Sequence, residues 1–204
     1  ILYTKESQCD NVKNFPVNIS THEYIYVDLS KWNASDFEIE NSVIKGLSSE
    51  GENKLLTTKT IAIPDVDAEG NEITGIADNA FKDYGFESVT MPSAIKGIGA
   101  NAFNGNKLTS IEFPESLETI GDKAFANNKL VYTQLPDGIK SVAGNCFEEN
   151  RGVFGVVYLF SNKSTGINDT TYQKFVVGDM PDVNQPWENK DFTWNAQTVT
   201  GLTA

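Results

Sequence analysis

The amino-acid sequence predicts a strand-rich α/β repeat fold, in which similar units stack on one another as a solenoid. Three observations support this: alanine-phenylalanine pairs, prolines and asparagines each recur with a step of 22 residues. A fixed step of about 20 to 50 residues is typical of repeat architectures. The recurring positions are Ala80-Phe81, Ala102-Phe103, Ala124-Phe125 and the substituted Cys146-Phe147, then Pro92, Pro114 and Pro136, then Asn106, Asn128 and Asn150, and the small residues Ala77, Gly99, Gly121 and Ala143.

Each unit contains one strand phrase of the form Leu-x-x-Ile-x-Phe-Pro, as in Leu108, Ile111, Phe113 and Pro114. Alternating apolar and polar residues predict a half-buried strand, and the proline ends it because proline cannot donate to a sheet ladder. A unit of this length cannot bury its own apolar edges, so it must stack on its neighbours. We interpret the recurring asparagines as structural, since stacked amides can satisfy backbone groups of adjacent turns.

The phrases IGxxAF and N-x-L-x-x-I-x-x-P resemble the signature of the BspA-like, or treponemal-type, leucine-rich repeats. The resemblance is strongest over residues 73–147 and extends more loosely from 36 to 160. It implies a right-handed leucine-rich-repeat solenoid with parallel β-strands and short helical or irregular turns. It also implies a non-enzymatic protein, secreted or attached to a bacterial surface, that binds host matrix proteins or other cells. The resemblance transfers no catalytic or binding residues to this chain.

The same patterns divide the chain into five expected segments. The capping segment contains a predicted helix around residues 48–56 and a predicted strand at 61–63. The segments are 1–35, the tail of a preceding module or an N-terminal appendage; 36–64, an N-terminal capping repeat; 65–152, the repeats of 22 residues; 153–180, closing strands in a hairpin or strand pair; and 181–204, a linker and the start of a following module.

The end of the chain repeats its beginning. Residues 187–203, WENKDFTWNAQTVTGLT, align without gaps on residues 32–48, WNASDFEIENSVIKGLS, at an offset of 155. We therefore expect one full module of a tandem array with pieces of its neighbours attached; the alternative is that both ends are individual caps. We interpret Trp32 and Trp187 as packing residues that join modules, rather than platforms for sugar rings.

Composition limits the function. The chain of 204 residues has a net charge of −12, which disfavours nucleic acid and anionic membranes as partners. No run approaches the roughly 18 apolar residues of a membrane-spanning helix, and the first residues lack the features of a secretory signal. Because the chain begins without Met, we expect a processed or excised piece of a longer protein. An extracellular or cell-surface location follows from the resemblance alone.

Chemistry-bearing motifs are scarce. His22 is the only histidine, no serine or cysteine lies in a nucleophile motif, and no zinc-ligand spacing occurs. We therefore predict no catalytic residues, no cofactor and no metal. Asp65, Asp67 and Glu69 match the first half of a calcium loop, but its twelfth position is Ile76, which belongs to the core pattern, so a solvated turn is the better interpretation.

The two cysteines leave two alternatives. Cys9 and Cys146 could form a disulfide in an oxidising compartment. However, Cys146 stands where the other repeats have alanine, and a free cysteine serves well as a small buried residue.

Outward-facing residues of the strand phrases form the surface that a partner would meet. We expect the partner-binding residues to be Ser110, Glu112, Tyr132 and Gln134, with Tyr132 as the aromatic of a type enriched at interaction hot spots. The expected partner is a protein, of the host extracellular matrix, besides neighbouring modules of the same chain. The alternative function is a passive spacer between other domains. The two outward columns are Thr60, Ser88, Ser110, Tyr132 and Gly155, and Ala62, Thr90, Glu112, Gln134 and Val157.

Overall fold

The computed structural model of the chain describes residues 31–150, 157–161, 170–171, 173–177, 192–195 and 198–202. Over these residues the chain is a strand-rich solenoid, and the prediction of stacked units with parallel strands is confirmed. Cys9, His22, Gly155 and Trp187 lie outside the described residues, as does most of the predicted first segment.

Short strands dominate the described residues. The elements, in chain order, are a 3-10 turn at Ala34–Asp36, β1 Phe37–Glu40, β2 Val43–Leu47, α1 Ser49–Lys54, β3 Thr60–Ala62, β4 Gly75–Ile76, β5 Ser88–Thr90, β6 Gly97–Ile98, β7 Thr119–Ile120, β8 Tyr132–Gln134, β9 Ser141–Val142, β10 Val157–Ser161, β11 Gln173–Val177, β12 Phe192–Asn195 and β13 Thr198–Leu202.

The first unit contains the antiparallel hairpin β1–β2 and the helix α1. The helix predicted near residues 48–56 is confirmed, and the strand predicted at 61–63 is β3, one residue earlier. Helix α1 begins at Ser48, whose hydroxyl accepts the Gly51 N–H at 3.3 Å. Such an N-cap satisfies one of the backbone donors that a helix start leaves unpaired.

A buried ion pair joins α1 to the 3-10 turn. Lys54 Nζ lies 2.5 Å from Asp36 Oδ2, and both side chains are almost fully buried. The same Asp36 oxygen accepts the Asn33 N–H at 2.8 Å, and Lys54 lies 5.5 Å from the centre of the Trp32 ring. Trp32 is half-buried, packs on Phe37 and donates its indole N–H to the Thr60 carbonyl at 2.8 Å, so it is a packing residue of this first unit.

One continuous wall of the solenoid is a six-stranded sheet, ordered β1-β2-β4-β6-β7-β9. Beyond the first hairpin every pair is parallel, and equivalent residues of successive units stand side by side. This register places one inward aliphatic side chain per unit in a single row. The row is Ile44, Ile76, Ile98, Ile120 and Val142.

Small residues follow this row because successive turns of backbone approach closely there. A Cβ placed on Gly99 would lie 2.5 Å from the Asp78 backbone nitrogen, and one on Gly121 would lie 2.8 Å from that of Ala100. Real Cβ atoms do not reach such distances. The recurrence of small residues in the sequence therefore reports the spacing between turns.

Stacked phenylalanines fill the centre of the core. Phe81, Phe103, Phe125 and Phe147 are fully buried, and adjacent rings are 5.2 to 5.7 Å apart. Their planes differ by 27°, 9° and 16° along the stack. Aromatic rings at these separations gain attraction beyond simple burial, so the row favours one registered stacking of the units.

Buried asparagines connect successive turns. Asn128 Oδ1 accepts the Leu108 N–H at 3.0 Å, and its Nδ2 donates to the carbonyls of Phe103 and Phe125 at 2.9 and 3.1 Å. One side chain thus bonds the backbone of its own turn and of the preceding one, which confirms the structural role expected for this row. Equivalent bonds are made by Asn106 and Asn150.

Cys146 fills the alanine position of the last repeat. It is a free thiol with no exposed surface, so the interpretation as a small buried residue is confirmed. Its Sγ lies 3.6 Å from Gln173 Oε1 of β11. Burial raises the pKa of the Cys146 thiol well above its usual value, and the charge of Asp122 adds to the rise. The thiol is therefore protonated and poorly nucleophilic at neutral pH.

The last strands pair in two ways. β10 and β11 form a parallel pair, not a hairpin, and continue a sheet ordered β11-β10-β8. β12 and β13 form an antiparallel hairpin that lies against β11. The paired residues of this hairpin are those of β1–β2 with 155 added to each residue number. The register irregularity also corresponds: it lies between Thr193 and Trp194 here and between Glu38 and Ile39 in β1–β2.

We predict that Lys54→Met destabilises the chain by about 3 to 5 kcal/mol, because it leaves the buried Asp36 carboxylate without its charge partner. The matched control is Lys45→Met, whose pair with Glu40 is 3.7 Å long and exposed, and which we expect to change stability by less than about 1 kcal/mol. Urea unfolding followed by circular dichroism measures both variants. Equal effects of the two substitutions would contradict the prediction.

Replacement of Asn128 by alanine should cost about 2 to 4 kcal/mol, since it leaves several buried backbone groups unpaired at once. The comparison is Lys107→Ala in the preceding turn, where only an exposed side chain is removed and a change within about 0.5 kcal/mol is expected. Thermal and urea unfolding of the two variants provide the test, and a loss below about 1 kcal/mol for Asn128→Ala would refute the structural role of the ladder.

Candidate functional site

The strand phrases form a second wall of the solenoid. Their central residues point into the core and are buried, as for Ile61, Val89 and Ile111. The flanking residues point outward and are exposed over the first three phrases. These exposed residues are Thr60, Ala62, Ser88, Thr90, Ser110 and Glu112.

This wall is not one continuous sheet. β3 pairs with β5, and β8 pairs with β10, but the phrase between them, at Ser110–Phe113, is not a strand. Among the described residues, no backbone hydrogen bond joins Ser110, Ile111 or Glu112 to β5 or β8. The expectation of a parallel strand in every phrase is therefore wrong at this unit.

A side-chain bond replaces the missing ladder on one side. Thr133 occupies the inward position where the other phrases have Ile61, Val89 and Ile111, and it is 2% exposed. Its hydroxyl donates to the Ile111 carbonyl at 2.9 Å. A buried hydroxyl requires a partner, so this bond turns the Ile111 carbonyl toward β8 and away from β5.

On the other side, Ser110–Phe113 and β5 line a common cavity. It has a volume of about 670 Å³ and is lined by Ser88–Met91 and Ser93 on one side, by Ser110–Pro114 on the other, and by Asp65. We call this cavity the slot. Buried Val89 and Ile111 and half-buried Met91 and Phe113 give it an apolar floor, and serine, threonine and carboxylate side chains form its rims.

Hydrogen bonds close both ends of the slot. At one end the Lys107 N–H donates to the Phe86 carbonyl at 2.8 Å. At the other end the Ser116 hydroxyl lies 2.7 Å from the Ser93 carbonyl and 2.6 Å from the Ile95 carbonyl. The two turns are thus joined before and after the slot, which is a bounded opening in the wall.

The rims of the slot are acidic. Among the described residues, its lining includes the carboxylates Asp65 and Glu112 and no basic side chain. The Ser93 N–H donates to Asp65 Oδ1 at 3.3 Å, and Glu112 has no salt-bridge partner among the described residues. A cationic group is the natural complement to this surface.

The four residues predicted to bind a partner divide into two pairs. Ser110 and Glu112 are exposed and line the slot. Tyr132 and Gln134 lie on β8 and are half-buried, and Tyr132 packs against a small cluster that contains Phe160 and Val176. Because Phe160 and Val176 have no exposed surface, the wall around β10 and β11 is covered, and the open part of this face lies upstream of β8.

The predicted outward columns also need a correction at their last position. β8 pairs with β10 so that Tyr132 stands beside Tyr158 and Gln134 beside Phe160, in place of Gly155 and Val157. The reason is that the step from Tyr132 to Tyr158 is 26 residues, and not the 23 residues that separate Tyr132 from Gly155. Val157 is fully buried.

The acidic turn after Pro64 is closed by its own hydrogen bonds. Asp67 Oδ1 accepts the N–H groups of Glu69 and Asn71 at 3.0 and 2.8 Å, and Oδ2 accepts Asn71 Nδ2 at 3.0 Å. The bonds from Asn71 lower the pKa of the Asp67 carboxyl, which is fully exposed. In the described part of the chain, no group of three or more histidines, cysteines, aspartates or glutamates is arranged to hold a metal ion.

The family model of the BspA type leucine-rich repeat region matches residues 72–175 in six copies, just over half of the chain. This chain belongs to the BspA-type leucine-rich repeat family. Repeats of this family are typically non-catalytic and surface-associated, and leucine-rich repeat domains generally mediate protein interactions. No helix of the described residues has the length and apolarity to cross a bilayer.

Solved structures of similar fold are bacterial leucine-rich repeat proteins. One from Bacteroides capillosus is 23% identical, with a TM-score of 0.50, over 63% of this BspA-type chain and 96% of its own. One from T. pallidum is 20% identical, with a TM-score of 0.43, over 72% and 86%. One from Bacteroides ovatus is 19% identical, with a TM-score of 0.39, over 69% and 44%. No curated protein matches the chain.

The sequence led us to select Ser110 and Glu112, which line the slot, but it did not lead us to predict the slot. A signal for it was present, because Thr133 is the one polar residue among the inward positions Ile61, Val89, Ile111 and Thr133 of the strand phrases. A break in the apolar column indicates a local change in pairing. The sequence contains no such signal for the width of the slot. That width depends on how the two turns lie relative to each other between the hydrogen bonds at the two ends of the slot.

Proposed function

We propose that this chain is a non-enzymatic recognition module of an extracellular or cell-surface protein, which binds a host or matrix protein in the manner of an adhesin. The strand face of the solenoid is the proposed binding surface. The observation that carries the proposal is the open upstream part of that face, where six outward residues are exposed and four of them line an acidic slot. An exposed concave site with an apolar floor and polar rims is typical of a recognition surface.

Within this surface we assign direct contact to Ser110 and Glu112. Both are exposed at the slot, and the Glu112 carboxylate provides the charge that would orient a partner. Tyr132 and Gln134 lie at the boundary with the covered part of the wall. Tyrosine is enriched at interaction hot spots, so Tyr132, with Gln134 beside it, would extend the contact beyond the slot.

The first test is binding of the chain to immobilised extracellular matrix proteins, measured by biolayer interferometry. The test variant is Glu112→Lys, and the matched control is Glu115→Lys, which makes the same charge change three residues away on an exposed residue outside the slot. We expect saturable binding to at least one matrix protein, weakened about tenfold or more by Glu112→Lys and little by the control.

Unchanged unfolding curves for both variants establish that the fold is intact. A panel with no saturable binding would remove the matrix partner from the proposal. Binding that survives Glu112→Lys would move the interaction to another face.

A second candidate function is a structural spacer within a tandem-module surface protein. The β12–β13 hairpin favours this function, because its register repeats that of β1–β2 pair by pair. Phe192 pairs with Leu202 as Phe37 pairs with Leu47. We propose that this hairpin is the cap of a following module, so that residues 181–204 join two modules. Its position against β11 provides a direct connection between the last strands of one module and the next cap.

The spacer proposal can be tested with a tandem chain in which residue 186 is joined to residue 32 of a second copy. Stacked repeats gain stability from each interface with a neighbour, so coupled modules should unfold at a higher urea concentration than the single chain. Unfolding of the tandem at the midpoint of the single chain would contradict coupling and leave the modules as independent units.

A further inference from the structure

We propose that the slot binds one arginine side chain of a partner protein, which enters from the exposed face of the wall and lies on the floor of the cavity. This inference rests on the proposed recognition function and gives it a partner chemistry. Three properties of the slot support it: a cavity that is closed beneath, an apolar surface next to hydrogen-bond acceptors, and an excess of negative charge.

The shape of the slot admits a side chain from the exposed face without moving the two turns apart. Val89 and Ile111 are buried and form the floor, while the outward side chains at the rims are exposed. Hydrogen bonds before and after the slot hold the two turns together, so the occupant lies over this floor. The cavity of about 670 Å³ is within the range of roughly 300 to 1,000 Å³ that is typical of sites for small ligands.

The apolar part of the slot suits the stem of a long side chain. Half-buried Met91 and Phe113 line the cavity beside the floor. Phe113 also packs edge-on against Phe125, with the ring centres 5.5 Å apart, which fixes the position of its ring. An arginine covers apolar surface with its methylene groups while its charged end stays near water, and its planar guanidinium stacks on aromatic rings. A short polar side chain would leave this apolar surface uncovered.

The rims of the slot provide more hydrogen-bond acceptors than donors. The carboxylates of Asp65 and Glu112 can only accept, and the hydroxyls of three serines and one threonine can accept or donate. The Ser93 N–H donates to Asp65 Oδ1 at 3.3 Å, which holds this carboxylate at the rim. A guanidinium group has five N–H donors and no acceptor, so it complements such a set of oxygens.

The charge of the slot selects a cation. In the part of the chain that the structure describes, no basic side chain lines the cavity, and Asp65 and Glu112 take part in no ion pair. A cationic group from a partner is attracted by these carboxylates and an acidic one is repelled. Arginine is favoured over lysine because a guanidinium is more weakly hydrated than an ammonium group, and arginine is enriched at interaction hot spots.

The probe is acetyl-arginine N-methylamide, titrated into the isotope-labelled full chain at low salt and followed by the backbone amide shifts in NMR spectra. Acetyl-citrulline N-methylamide has nearly the same shape without the charge, and acetyl-lysine N-methylamide has the charge without the planar group. We expect saturable shifts at Ser88–Met91 and Ser110–Glu112 with the arginine probe. Binding should be about tenfold weaker for citrulline and about threefold weaker for lysine.

Two variants of the chain locate the site. Glu112→Gln nearly keeps the size of the side chain and removes its charge, and it should weaken binding of the arginine probe about fivefold. Glu115→Gln makes the same change in net charge on an exposed residue outside the slot, and it should leave binding within about twofold. Unchanged circular dichroism and unfolding midpoints for both variants would show that the fold is retained.

The inference is overturned if the arginine probe causes no saturable shifts, if citrulline or lysine binds equally well, or if Glu115→Gln weakens binding as much as Glu112→Gln does. Shifts that spread evenly over the acidic surface would also overturn it. These results are separable from the recognition function. A matrix protein that binds through Glu112 while the arginine probe fails would leave that function standing with a different contact. An arginine probe that binds while the matrix panel is blank would retain the arginine site and remove the matrix partner.

Discussion

The fold depends on keeping successive turns in register at a step of 22 residues. The buried asparagines bond the backbone of two turns at once, and the stacked phenylalanine rings fix the lateral position of each unit. The close approach of backbone at Gly99 and Gly121 leaves no room for a side chain between turns. Since each unit is too short to bury its own apolar surface, these contacts between units provide most of the stability.

The strand wall tolerates a missing backbone ladder because other contacts hold the rest of each turn in place. The six-stranded sheet and the asparagine row hold the turns together on the other sides, so the loss of one backbone ladder at Ser110–Phe113 leaves the stack intact. The hydroxyl of Thr133 then compensates on one side only. The result is a bounded acidic opening on the exposed part of the face, which is the basis of the recognition function proposed for this module.

The repeat step, the core rows and the helix of the first unit could be predicted from the sequence because each depends on local spacing. The roles of Asn128 and Cys146 followed from their place in a row of equivalent positions. The slot, the covering of Phe160 and the 26-residue unit that shifts Tyr158 beside Tyr132 could not be predicted, because they depend on how whole turns sit against one another. A strand phrase specifies which residue points inward, but it does not specify whether its backbone pairs.

Over residues 43–150, successive turns are joined in register except at the slot. Amide hydrogen exchange of the free protein, resolved by residue with NMR, tests it most directly. We expect strong protection of the Leu108 and Leu130 amides, which bond to buried asparagine side chains. We expect fast exchange of the Ser110 and Glu112 amides, two and four residues after Leu108. Equal protection of all four amides would mean that the backbone ladder is continuous and that the wall has no opening at Ser110–Phe113.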